Sequence, residues 1–379
     1  MNRNLLLNII RREGRLSRTQ LTERSGLSVG AVSGIVNDLI KDHWLLEVGE
    51  GDYTGGRRQT PLRLNPDAGF AIGLKLMENR IVAAVTDLET SIRQYFDRSY
   101  TFTSDPERLA DILANTINLT INETAIPQDK LFGVGMGLAG VIYTHTGIVH
   151  YSPFFGWRDV PLAHMVAQRI ALPVYVENDV NTLTITEQLF GAGQQSSNFV
   201  VVTIGRGVGM GIVINGQLYR GNRGGAGELG HVVLSRMNDA QYVCLEDLSA
   251  DPVVLREVAA ADGRAPNDLH DVVTMAKGGH AGARAALARS GEMLGLGLAA
   301  VVNMLCPELI VISGEGVEAG DFRLKPMLES MKQHTFDGLM DHLRVVIEPT
   351  DDRAWARGAA SLVISKAFAS PIHEARVDG

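Results

Sequence analysis

Cysteine is almost absent. Cys244 and Cys306 are the only two in 379 residues. No disulfide framework follows from them, and a reducing, cytoplasmic setting is expected. No uninterrupted apolar run reaches the roughly 18 residues of a membrane span, and no secretory leader precedes the charged amphipathic start, so neither a membrane protein nor a secreted one is expected. An excess of positive charge is also missing. The net charge of −8 argues at first against a nucleic-acid partner. Its distribution reverses that reading. Up to Pro66 the chain carries ten Lys and Arg against seven Asp and Glu, a head of +3, which leaves −11 for the remainder. A mildly basic head on an acidic body suits a DNA-binding head and a ligand-binding body.

The length suits two or three domains, and 45% hydrophobic residues permit sizeable cores. Many of the 41 glycines cluster after apolar runs, as ligand-cradling turns require. Three helices are expected before residue 45. Leu5, Leu6, Ile9 and Ile10 give the first an apolar face. Ser17 opens the second, with Gln20 completing a capping box, and Gly26 ends it. Ser28 caps the third, where Val29, Val32, Val36 and Leu39 recur at helical spacing as one buried face. The opposite face carries Gly30, Ala31, Ser33, Gly34, Asn37 and Lys41, small enough for close approach to base edges. No Arg lies on this helix, so base contacts must come from Ser28, Ala31, Ser33, Asn37 or a wing. Two short extended runs around Gly49 to Gly56 read as that wing. Arg57 and Arg58 follow it. Isolated in a loop they would be solvated charges; directly after a helix-turn-helix they are expected to meet phosphates or the minor groove.

Pro66 to Gly69 punctuates the boundary between a winged helix-turn-helix head, residues 1–66, and a body, 67–379. The body alternates strands and helices. Strands are expected at Ala71 to Leu76, Ile81 to Thr86, Leu131 to Leu138, Val174 to Glu177, Phe199 to Thr203, Gly209 to Ile214 and Leu309 to Ser313. Helices are expected near Pro106 to Thr124, Asn181 to Phe190, Gly282 to Asn303 and Ala354 to Ala367. This is an α/β pattern with mixed sheets.

These segments carry a resemblance. Leu16-Ser17-Arg18, Gly26-Leu27-Ser28, Val32-Ser33 and Gly56-Arg57-Arg58 mark the head. Gly135 to Val141, Glu177 to Asn181, Gly205 to Gly211, Gly227 to His231 and Arg357 to Ala360 mark the body. In this order the chain resembles the ROK family, which groups sugar-responsive repressors with sugar kinases, and within it the repressor branch. The resemblance implies a two-lobed, actin-like ATPase body holding a sugar in a cleft. The sugar would be held by Asn178, Asp179, Glu228, His231 and Glu246, with Asp179 at the position of the kinases' general base. Phe154 and Phe155 replace the polar residue expected before Gly156-Trp157, which would make one pocket wall more apolar. Cys244 alone remains of the family's three zinc thiolates, so no metal is expected. Cys306 reads as core.

Kinase action is not expected. The first phosphate loop should offer an acid and glycines, but Gly73 to Glu78 places Lys75, Met77 and Glu78 there. In the second, Arg206 replaces a small hydroxyl residue. The implied function is a cytoplasmic transcription regulator without catalytic residues or cofactors. It would bind operator DNA as a homodimer or homotetramer and respond to a sugar effector. Two alternatives stand beside it: regulation by a protein partner with a vestigial sugar pocket, and a bifunctional sugar kinase.

Overall fold

The computed structural model describes residues 2–49, 60–238, 241–263 and 265–369. Its head contains three helices, α1 (Asn2–Glu13), α2 (Arg18–Ser25) and α3 (Val29–Lys41). Two strands follow, β1 (Leu45–Glu47) and β2 (Leu62–Leu64), paired antiparallel with Leu46 opposite Arg63. The local signals operate as expected. The Ser17 hydroxyl accepts from the Gln20 amide while the Gln20 side chain accepts from the Ser17 amide, and Gly26 takes the left-handed conformation at φ 66°. Two apolar faces differ from expectation. Leu6, Leu7 and Ile10 are buried while Leu5 is exposed, and Val29 is 69% exposed. Val29 lies in the first turn of α3, before the helix reaches the other two, so only Val32, Val36 and Leu39 enter the head core. Arg57 and Arg58, the expected wing contacts, lie outside the described residues.

The chain forms two compact units, and the head belongs to the first, which comprises residues 1–140, 144–177 and 356–379. Its central sheet has the order β10-β6-β3-β4-β5. The strands are β3 (Phe70–Leu76), β4 (Arg80–Asp87), β5 (Ile92–Ser99), β6 (Leu131–Leu138) and β10 (Val174–Asn178), with α4 (Pro106–Glu123) between β5 and β6. β3 runs antiparallel to β4 and parallel to β6. The same unit holds β8 (Ile148–Ser152), β9 (Trp157–Val160) and α5 (Leu162–Ala167), of which the sequence reading had none. The final helix, α12 (Asp352–Phe368), packs its small residues directly on the sheet. A Cβ at Gly73 would stand 1.9 Å from the Ala356 carbonyl, and one at Gly135 1.9 Å from that of Ala359. Gly73 is therefore a packing glycine under α12. Several aromatic contacts add to this unit. Trp44 of the head stacks on Phe132 with centroids 5.7 Å apart. Phe155, expected at a pocket wall, is buried between Phe102 and Trp157, while Phe154 packs edge-on against it at 4.7 Å and stays half-buried.

The second unit comprises residues 141–143 and 178–355. It holds β7 (Val141–Tyr143), then α6 (Asp179–Phe190), β11 (Phe199–Ile204), β12 (Val208–Ile214) and β13 (Gln217–Leu218). A hairpin of β14 (Val233–Asn238) and β15 (Gln241–Cys244) follows, then α7 (Glu246–Ser249), α8 (Asp251–Asp262), α9 (Leu269–Lys277) and α10 (Ala281–Leu305). The unit closes with β16 (Leu309–Ser313), α11 (Asp321–His334) and β17 (Arg344–Ile347). Its sheet is ordered β13-β12-β11-β16-β17, with β11, β16 and β17 parallel. Among the described residues one helix, α10, is long and apolar enough to cross a membrane, although charged residues interrupt it. Its apolar stretch is 61% buried, with Leu294, Leu298, Val301 and Val302 packed against Met327 and Met331 of α11, so it serves as a core helix. Cys306 is another correction. It is exposed and caps α10 at φ 43°, because the helix stops one residue before Pro307.

Candidate functional site

The strand-to-helix junction from β10 to α6 presents two neighbouring polar side chains. Asn178 caps α6, its Oδ1 accepting from the Asn181 amide at 3.2 Å, and Asp179 accepts from the Val180 amide at 3.0 Å. Both remain half-buried rather than lost in the core. Beneath them Val180 and Leu183 pack with Trp355. β12 presses close enough that a Cβ at Gly209 would touch Val180 at 2.6 Å.

Three further polar groups converge in the same unit. A single 3-10 turn, 229–231, carries Glu228 before it and His231 at its end. The His231 ring lies between two carboxylates, Nε2 at 3.8 Å from Glu228 and Nδ1 at 3.4 Å from Glu246. Glu246 opens α7, whose Leu245 is wholly buried and anchors the turn. Partial desolvation raises the Glu228 carboxyl above the ordinary range. His231 opposes the shift, while Glu246 and Asp179 add to it. Glu228, His231 and Glu246 thus form one polar cluster, although Glu246 lies well beyond the turn in sequence.

The β11–β12 turn borders this cluster. The Gly205 amide donates to the Gly207 carbonyl at 3.0 Å, and a Cβ at Gly207 would lie 3.3 Å from Glu246 Oε2. A buried ion pair holds the turn from below. Arg323 is fully buried and meets Asp251 at 2.7 Å, and the Asp251 amide donates to the Gly205 carbonyl at 2.9 Å. Chemically the cluster offers several acceptors and one imidazole on a half-wet surface. It can take hydroxyl donors arranged around a small polyol, which would satisfy carboxylates that are costly to desolvate alone.

The residues beside His231 do not fit the zinc that the family resemblance implies. Cys244 supplies one thiol, its amide is held by the Asp247 carboxylate at 3.0 Å, and Cys306 lies at the far end of α10. Among the described residues no group of three or more His, Cys, Asp or Glu is arranged around a metal position.

The head offers a second candidate surface. Ser28 and Asn37 are exposed on α3, and Ala31 and Ser33 are half-buried beside them. The Ser28 hydroxyl already accepts from the Ala31 amide at 3.3 Å as the helix cap. A residue to which the sequence reading gave no DNA-contact role joins this face: Arg18, from the first turn of α2, donates to Asn37 Oδ1 at 3.3 Å.

Known proteins resemble the chain over both the head and the body. The pattern of the ROK family matches residues 71–366, and that of a winged helix-turn-helix DNA-binding domain matches 2–45. The xylose repressor of Bacillus subtilis is 30% identical over 372 residues, covering 96% of this chain and 95% of that one. A ROK family transcriptional regulator that is a homologue of the Escherichia coli Mlc protein superposes with a TM-score of 0.83 at 23% identity, over 97% of this chain and 96% of that one. A ROK family glucokinase from Streptomyces griseus, solved with glucose and AMPPNP, has a TM-score of 0.66 at 26% identity, over 78% of this chain and 99% of that one.

Proposed function

The chain belongs to the ROK family, and from that premise we propose that it is a DNA-binding transcriptional repressor whose operator affinity is set by a sugar or sugar derivative. Residues 1–66 act as the DNA-binding head and 67–379 as the body. The effector is held by Asn178, Asp179, Glu228, His231 and Glu246. One observation carries the reading: a winged helix-turn-helix over residues 2–45 shares a chain with a His–carboxylate cluster on a sugar-kinase-like body. The similarity to a xylose repressor over nearly the whole length supports the same function.

The protein is not a kinase in this reading. The turn after β3 carries Met77 and Glu78, and Glu78 would repel a phosphate. The small reading surface of a single head favours a homodimer or homotetramer on an inverted repeat, with half-sites about one or two helical turns apart. Such a regulator works in the cytoplasm, where its DNA is. A sugar controls operator binding only as far as its affinity differs between the DNA-competent and DNA-incompetent states. Helix α12 offers a route for that difference. Its Trp355 packs on the helix that begins with Asp179, and its far end meets α1 of the head.

The test is a thermal-shift screen of the full chain against a sugar panel. Hits are then added to protein bound to operator DNA recovered from genomic fragments. A sugar that raises Tm and changes operator affinity is expected. Asp179→Ala and Glu228→Ala should lose that response with operator binding largely kept. If both variants respond normally, the effector binds elsewhere.

A further inference from the structure

The recognition helix α3 carries no arginine, yet a guanidinium reaches its outer face. Arg18 occupies the first turn of α2, where a cation opposes the helix dipole and so adds nothing to helix stability. Its fork is held at two points. Nη1 pairs with Glu47, the last residue of β1, at 3.0 Å, and Nη2 donates to Asn37 Oδ1 at 3.3 Å. Three elements of the head, α2, α3 and the first wing strand, are thereby joined by one side chain. All three residues remain open to solvent, with Arg18 at 32% and Glu47 at 46% side-chain exposure.

The hydrogen bond has a consequence for readout. An asparagine reads adenine in the major groove by two bonds, accepting from N6 with its oxygen and donating to N7 with its nitrogen. In this head the oxygen of Asn37 accepts from Arg18, which uses one of its two lone pairs and fixes the plane of the amide. Its NH₂ group is left to face a base edge, and a donor there suits the major-groove acceptors of guanine (O6, N7), adenine (N7) or thymine (O4). Glu47 holds the Arg18 charge on the protein side, which keeps the guanidinium directed at Asn37 rather than swinging to a phosphate.

Resting on the DNA-binding reading above, we infer that Arg18 is a positioning residue for sequence recognition: anchored by Glu47, it fixes the orientation of the Asn37 amide toward the base pair that Asn37 reads. Arg18 acts through Asn37 and is not itself the base contact.

The experiment selects duplexes from a random-sequence pool with the full-length protein, then measures affinity for single-base variants of the selected site and its salt dependence. Asn37→Ala should relax preference at one symmetric base pair, with a roughly 5- to 100-fold loss of discrimination there. Arg18→Ala should relax the same base pair, and the double variant should lose little more than either alone. Arg18→Lys keeps the charge but not the planar fork. It should follow Arg18→Ala in sequence preference and keep the parent's salt slope. Uniform weakening of Arg18→Ala on every sequence, with a salt slope smaller by about one, would make Arg18 an ordinary phosphate contact and overturn the inference. Additive effects of Arg18→Ala and Asn37→Ala would do the same. An Arg18→Lys variant that keeps the parent's preference at the pair relaxed by Asn37→Ala also overturns it, whether or not Arg18→Ala folds. A parent protein that enriches no sequence defeats the DNA-binding reading as well. Enrichment with unchanged variant profiles defeats this inference alone.

Discussion

The side-chain amide of Asn8, in the first helix, donates to the carbonyl of Phe368, the last residue of the final helix, at 2.8 Å. Asn4, one turn earlier, donates to the carbonyl of Ala369. The Arg11 guanidinium lies over the Phe368 ring at 5.5 Å, and burial lowers its pKa to about 10, which leaves it charged at neutral pH. The last carbonyls of a helix have no partner within it. Here the DNA-binding head supplies the partners, so α1 acts as the cap of α12.

Removing that cap should loosen the head before it unfolds the body. Asn4→Ala combined with Asn8→Ala should cost about 1–3 kcal/mol, at roughly 1 kcal/mol per hydrogen bond. Limited proteolysis should release the head sooner than in the parent. If α12 carries the sugar signal, the double variant should also show a weaker effect of sugar on operator binding. An unchanged digestion pattern and an unchanged response would remove the cap from the switch.

Gly73→Ala places a Cβ where the Ala356 carbonyl and the Ala360 amide stand. Neither backbone atom can yield without moving α12. The expected cost exceeds the roughly 1–3 kcal/mol typical of overpacking, read as a large fall in Tm or loss of soluble protein. A variant as stable as the parent would show that α12 can lift from the sheet.

The raised carboxyl of Glu228 implies a pH dependence. A folded-state pKa above the unfolded one adds stability that is fully present below the unfolded value and is lost as pH rises through the folded value. Without effector, Glu228→Gln should therefore be slightly more stable than the parent near pH 7, and the gap should close as pH falls through the carboxylate range. The group is half-exposed, so the gap should stay within about 2 °C of Tm. A gap that widens toward acid pH would contradict the assigned direction.

Arg57→Ala and Arg58→Ala should each weaken operator binding while Tm stays near that of the parent, since both lie in a polar, Gly-rich segment. If each arginine meets one phosphate, its removal should lower the salt slope by about one. Full affinity in both variants would make them solvated loop charges.

Sugar-dependent release of ADP from ATP should stay at background, given Met77 and Glu78 in the turn after β3. Turnover above background that disappears in Asp179→Asn would overturn that expectation and restore the bifunctional alternative.

Local chemistry was legible in the sequence. The Ser17–Gln20 capping box, the Gly26 stop and the spans of β6 and β16 depend on neighbours a few residues apart, and the structure has them as read. The family motifs point to Asn178, Asp179, Glu228, His231 and Glu246, and the structure brings His231 between Glu228 and Glu246. What lay beyond the sequence depends on which surface a side chain meets. A helical repeat marks an apolar face but not where the partner ends, so Val29 is exposed while Val32 is buried. The spacing of Gly73 before Lys75 suggests a degraded phosphate loop, yet its need for glycine comes from α12, far along the chain. Phe155 finds its neighbours in Phe102 and Trp157 and leaves the expected pocket wall. The hydrogen bonds of Arg18 with Asn37 and of Asn8 with Phe368 join residues that no local rule relates. Sequence determines propensity over a turn or a strand. Only the folded chain decides which distant backbone or side chain arrives within hydrogen-bonding reach, because that is settled by the packing of whole elements.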